Sequence, residues 1–181
     1  VEQEACPLGL APTSSTTATL VLGDALAVSL LEARGFTPDD FAMSHPGGAL
    51  GRKLLLRNAD IMHQGELLPT VSDKATVSEA LLEMSRKGLG MTAILDTQGT
   101  LAGIFTDGDL RRILDQQLDI HTTPITKVMT ANCITVPAEM LVAQSVKLMQ
   151  ERKINALIVL DKQRCPVGAF NMHDVLKAGV V

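Results

Sequence analysis

G-I-F-T-D-G-D (Gly103–Asp109) and G-A-F-N-M-H-D (Gly168–Asp174) stand 65 residues apart and share the frame G-x-F-x-x-x-D. Working outward at that offset, residues 69–114 overlay 134–179 without a gap, and ten of the 46 positions are identical. They include Val71/Val136, Val77/Val142, Met84/Met149, Asp96/Asp161, Phe105/Phe170 and Asp109/Asp174. Most other apolar positions match in character. Just upstream, Asp60-Ile-Met62 is similar to Lys127-Val-Met129 with a two-residue slip. A fixed period with every element in the same order is the signature of a duplicated unit.

Each copy reads as β-α-β-β-α. A short extended piece ends in Thr70-Val71 or Thr135-Val136. Apolar residues then recur at helical spacing, at Val77, Ala80, Leu81 and Met84 in one copy. In the other, Val142, Ser145, Val146 and Met149 hold the same places. Thr76 with Glu79 makes a T-x-x-E capping box, which satisfies the free N–H groups at a helix start. Buried strands are expected at Met91–Leu95 and Ala156–Leu160, each closed by an aspartate, Asp96 or Asp161. After a turn come second strands, Leu101–Phe105 and Val167–Phe170, then a last helix starting at Thr106 or Asn171. A unit of about 55 residues buries little surface alone, so two copies side by side would close a shared core. The expected fold class is α/β (α+β).

The first 58 residues do not repeat. Thr16–Arg34 reads as one long helix closed by Gly35. Thr37-Pro38 opens a short one, Ser44–Gly48 a loop, and Ala49–Leu56 a further short helix. The domains are therefore set at 1–58, 59–118 and 119–181. The first has too few elements for a domain and reads as the C-terminal part of something larger. Val1 in place of an initiator Met agrees with a fragment of a longer protein.

Composition narrows the function. Hydrophobic residues make up 46% and charged residues 20%, enough apolar material for a core. A net charge of −4 argues against sequence-independent nucleic-acid binding, which rests on Lys and Arg neutralising phosphates. Trp and Tyr are absent, so stacking platforms for single strands are not expected either. Cys6, Cys133 and Cys165 have no paired spacing and read as reduced thiols of a cytoplasmic protein, with no metal site. Ala18–Leu31 is the longest apolar stretch, broken by Gly23, Asp24 and Ser29. It is expected as a buried helix, too short and too polar for a membrane span.

The duplicated motif runs from a strand into a helix start, where free N–H groups and the helix dipole suit a phosphate. Thr106 can donate to a phosphate, and Asp109 or Asp174 can accept from a ribose diol. The same residues also suit plain capping, with Thr106 and Asn171 as N-caps and the aspartates at N3. His173 reads either as a partly exposed helix-start histidine or as a contact to a ligand of unusual shape or charge.

On these residues the repeat resembles a pair of CBS domains over roughly 60–181, with Thr106 and Asp109 matching that family's G-h-h-T-x-x-D nucleotide motif. The resemblance implies a ligand cleft held by Thr106, Asp107, Asp109, Asn171, His173 and Asp174. Asn171 departs from the family's Ser/Thr, so the two sites are unequal. E-A-C-P-L-G-L-A-P-T-S-S-T-T-A-T (Glu4–Thr19) and S-H-P-G-G-A-L-G-R-K-L (Ser44–Leu54) are similar to the arabinose-5-phosphate isomerase family. Those proteins join a sugar isomerase (SIS) domain to a CBS pair. They interconvert D-ribulose 5-phosphate and D-arabinose 5-phosphate for the Kdo sugar of lipopolysaccharide.

That resemblance implies catalytic roles for Glu4 and His45, with His45 suited to proton transfer near neutrality. Their bland alternatives are a solvated chain end and a loop histidine held by Pro46. Thr13–Thr16 is a hydroxyl-rich stretch that would meet a phosphate or serve as capping material. No cofactor is implied. A nucleotide or a nucleotide-sugar such as CMP-Kdo is implied as regulatory ligand, and a homo-oligomer, tetrameric in the full-length enzyme, as assembly. Without the first half of the SIS domain, the chain alone is expected to show no turnover of arabinose 5-phosphate. A ligand-free assembly module, or the paralogous isomerase of sugar-alcohol catabolism, would leave the same motifs.

Overall fold

The computed structural model describes residues 1–44, 48, 51, 54–114 and 118–180. It divides into two compact units, Val1–Ser44 and His45–Val181.

In the first unit, helix α1 spans Ser14–Ala33 and α2 spans Pro38–Ser44. Thr37 and Asp40 cap α2 reciprocally: the Thr37 amide donates to Asp40 Oδ2 at 2.9 Å and the Asp40 amide to Thr37 Oγ1 at 3.2 Å. The expectation of a buried α1 is overturned, since none of its residues is buried in this unit. Leu20, Val21 and Leu22 are consecutive and all exposed, so apolar residues occupy more than one face. The helix extends four residues beyond the apolar stretch at one end and two at the other, and holds only Asp24 and Glu32 as charges. By length and composition alone it is long enough and apolar enough to cross a membrane. A helix that is apolar all round belongs either in the core of a larger fold or in lipid.

The second unit carries the duplication. After a short helix α3 (Asn58–Ile61) and one 3-10 turn come β1 (Thr70–Ser72), α4 (Val77–Lys87), β2 (Met91–Leu95), β3 (Leu101–Thr106) and α5 (Asp107–Leu114). The second copy follows as β4 (Thr135–Pro137), α6 (Val142–Arg152), β5 (Ala156–Leu160), β6 (Pro166–Asn171) and α7 (Met172–Ala178). Each copy builds a three-stranded sheet, ordered β1-β2-β3 and β4-β5-β6. In each, the first pair is parallel and the second antiparallel, and both carry a bulge at the same place, Ile94/Leu95 and Val159/Leu160. The β-α-β-β-α reading is therefore the observed one. Half of the expected helix Ala49–Leu56 lies outside the described residues, and Gly51, Leu54 and Leu55 among the rest are helical.

The segment leading into each copy crosses to the other copy. Residues 57–63 bridge to Leu141 and Ala169, and residues 124–130 bridge to Thr76 and Ile104. Asn58 is buried there, donating to the Pro137 carbonyl at 2.8 Å and accepting from Ser145 Oγ at 2.8 Å. The crossing explains the identical glycines. A Cβ on Gly103 would lie 2.9 Å from Met129 Sδ and from the Thr130 carbonyl. A Cβ on Gly168 would lie 2.7 Å from Met62 Cγ. Only glycine lets the leader lie this close to the strand.

Each copy keeps its own core around a fully buried phenylalanine, Phe105 with Met84 and Phe170 with Met149. A third cluster joins residues of both copies, including Met91, Leu101, Ile158 and Ala169, and is the shared core that side-by-side packing requires.

Candidate functional site

A cleft of about 710 Å³ opens between the two copies. Its first-copy wall is the end of α4, the end of β3 and the first turn of α5; its second-copy wall is the start of β5 and of α7. Thr106, Asp107, Asp109, Asn171 and His173 all line it. Arg112, Thr130, Lys153 and Asn155 line it too, and residue type alone had not marked them.

At the centre of the first motif, Asp109 is almost wholly buried at 2% exposure. Its Oδ2 accepts from the Thr106 amide at 2.8 Å and from Thr106 Oγ1 at 2.6 Å. Its Oδ1 accepts from Thr130 Oγ1 at 3.0 Å and from the Arg112 guanidinium. Capping is thus realised here, and it fixes the Thr106 side chain at the rim of the cleft. A carboxylate has about four lone-pair positions, and these four donors fill them, so Asp109 holds Thr106, Thr130 and Arg112 in place around the cleft. Cys133 is also on the wall, and burial pushes its thiol above the usual range.

The second motif is built alike but partnered differently. The Asn171 amide donates to Asp174 Oδ2 at 2.9 Å, and the Asp174 amide donates to Asn171 Oδ1 at 3.1 Å. Asp174 Oδ1 meets His63 Nε2 at 2.9 Å. His63 follows Met62 as Thr130 follows Met129, so the histidine holds the place of the threonine hydroxyl. Asp174 does not reach the cleft shared by the other five residues. It lines a separate open groove of about 500 Å³ with His63, Gln64, Leu67 and Lys177. The sequence signal for His63 and Thr130 was the slipped Met62/Met129 pair, carried one residue further.

The CBS domain family model matches residues 59–116 and 125–180. The chain belongs to the CBS domain family. The arabinose 5-phosphate isomerase KdsD of Pseudomonas aeruginosa is 63% identical over 181 residues, all of this chain and 56% of that protein. The chain thus spans about half the length of the curated relatives it matches. Among solved structures, the CBS domain pair of protein MJ0100, in complex with 5′-methylthioadenosine and S-adenosyl-L-methionine, superposes with a TM-score of 0.61 at 24% identity. That match covers 68% of this chain and 94% of the other. CBSX2 in complex with AMP gives a TM-score of 0.59 at 20% identity over 70% of this chain and 97% of the other. These two likenesses show the CBS-pair fold.

Outside the CBS pair, Glu4 caps α1. Its Oε2 accepts from the Thr13 amide at 2.7 Å, Thr13 Oγ1 at 3.1 Å and the Ser15 amide at 3.2 Å. Hydrogen bonds from Ser15 and then from Thr13 hold its carboxyl down to about 2, against an ordinary value of 4.5. The cap is therefore complete above the ordinary value and is lost as pH falls toward about 2. Thr13 and Ser15 act here as capping donors. His45 lies outside the described residues.

Proposed function

We propose that this chain is the regulatory CBS-pair portion of a D-arabinose 5-phosphate isomerase. The observation that carries the reading is 63% identity to KdsD of Pseudomonas aeruginosa along the whole chain. In this reading residues 1–58 are the C-terminal part of the sugar isomerase domain, and α1 is one of its core helices. The full-length enzyme would act on D-ribulose 5-phosphate and D-arabinose 5-phosphate in the cytoplasm, as a homo-oligomer. Glu4 and His45 would belong to its active site, where aldose–ketose isomerisation needs groups that move a proton between C1 and C2.

The cleft beside Thr106 would bind a nucleotide or nucleotide-sugar that tunes the isomerase. Support comes from the match of Thr106 and Asp109 to the nucleotide motif and from the cleft's lining by both copies. It also comes from the nucleotide ligands named for two structural neighbours. CMP-Kdo is the favoured ligand, because an end product that feeds back carries both a nucleotide and an acidic sugar. Calorimetric titration of the chain with CMP-Kdo, AMP and ATP tests this. Binding of CMP-Kdo well above the adenine nucleotides is expected. Tight AMP or ATP binding with none for CMP-Kdo would reject the ligand assignment.

A ligand-free assembly role is the second reading. Leu82 and Leu176 stand 69% and 56% exposed on the CBS unit, which favours a further contact surface. Light scattering with and without nucleotide separates an oligomer that forms regardless from one that needs ligand.

A further inference from the structure

Three pairs of equivalent positions line the cleft, and each sets a glycine of the first copy against a side chain of the second. They are Gly88 with Lys153, Gly90 with Asn155, and Gly108 with His173. The first copy therefore offers bare backbone to the cleft. The second offers an ammonium, an amide and an imidazole.

Folding alone does not favour the lysine. Gly88 ends α4 with φ 71°, and Lys153 ends α6 with φ 54°. Glycine enters the left-handed region freely, while a residue with a Cβ does so under strain. Arg164 is strained in the same way in the β5–β6 turn, so strain by itself singles out nothing. What distinguishes Lys153 is that the strain places a cation in the wall of a cleft.

The trio is also uncommitted. Arg112, the other strong cation of the cleft, is engaged by Asp109. The side chains of Lys153, Asn155 and His173 make no hydrogen bond or ion pair among the described residues. Asn171, which replaces the first copy's threonine, holds the Asp174 amide and keeps the α7 start in place beneath His173.

We infer that Lys153, Asn155 and His173 form the specificity-determining wall of the cleft, selecting a nucleotide with a second acidic group over a plain nucleoside monophosphate. This rests on the reading of the cleft as a nucleotide site. Thr106 and the first turn of α5 would serve the part common to all nucleotides. The second-copy wall would serve the acidic group that only some carry.

Calorimetric titration of the 181-residue chain with CMP, CDP and CMP-Kdo tests the inference, on the wild type, Lys153→Gly and His173→Gln. The wild type should bind CDP or CMP-Kdo about tenfold more tightly than CMP, the scale of one charge-assisted hydrogen bond. Preference for CDP would make the second group a phosphate, and preference for CMP-Kdo a carboxylate. Lys153→Gly should remove most of that preference while leaving the affinity for CMP within about twofold. Its melting temperature should hold or rise, since glycine relieves the left-handed strain. His173→Gln should weaken the preference in part. Equal affinities in the wild type, or equal loss for CMP and the doubly acidic ligands in Lys153→Gly, would overturn the inference and leave the nucleotide reading intact. Failure of the wild type to bind any of the three probes would overturn both.

Discussion

The two CBS copies differ along the cleft and agree at the centres of their cores. Phe105 and Phe170, Met84 and Met149, and Gly103 and Gly168 hold the same places in the same packing. Asp96 and Asp161 both turn the chain after a strand by accepting from backbone amides, Gln98 and Thr100 in one copy, Gln163 and Cys165 in the other. Along the cleft the agreement ends. Thr106 faces Asn171 in the alignment, Thr130 faces His63, and three glycines face Lys153, Asn155 and His173. Packing tolerates little change at native density, so duplicated cores stay alike. A cleft shared by two copies is under no such symmetry, and each copy can present different side chains to it.

The largest effect should come from the cores. Phe105→Ala and Phe170→Ala each empty a fully buried aromatic site and should cost about 3–5 kcal/mol in urea denaturation. Near-equal losses would support equivalent cores, whereas a loss confined to one copy would break the comparison. Next come the leader crossings. Gly103→Ala and Gly168→Ala should each cost about 1–3 kcal/mol by overpacking. The first should be the worse, because its Cβ meets a carbonyl at 2.9 Å rather than chiefly the flexible Met62 side chain. The smallest effect lies at the helix starts. Thr76 caps α4 reciprocally with Glu79, while Leu141 opens α6 with no side-chain cap. Leu141→Thr would create a box with Gln144 and should add about 0.5 kcal/mol, read as a small rise in melting temperature.

Much of the CBS pair was legible because local signals and burial agree. β2 and β5 match the apolar runs Met91–Leu95 and Ala156–Leu160 residue for residue, and the Thr76–Glu79 box forms as its spacing requires. Thr106, Asp107, Asp109, Asn171 and His173 line one cleft because the duplicated motif places them at two facing helix starts. Asp174 lies apart from them, in the groove with His63, and the motif carries no information about His63, which lies 111 residues away in sequence and reaches it only through the crossing of the leader. Lys153 and Asn155 were missed for a related reason. Their meaning lies in the contrast with Gly88 and Gly90, not in any local pattern. The error at α1 has another source. Apolar composition says that a helix seeks cover, but not what supplies it, and among the described residues of its unit nothing does.

The unequal halves lead to one central proposal, that the CBS pair would bind its ligand in one cleft rather than at two equivalent sites. Asp109 keeps its place in the larger cleft, while Asp174 is taken by His63 in a separate open groove. The stoichiometry of nucleotide binding to the 181-residue chain, read from the same calorimetric titration, tests this most directly. One ligand per chain is the expected result, and two equivalent ligands per chain, or none, would contradict it.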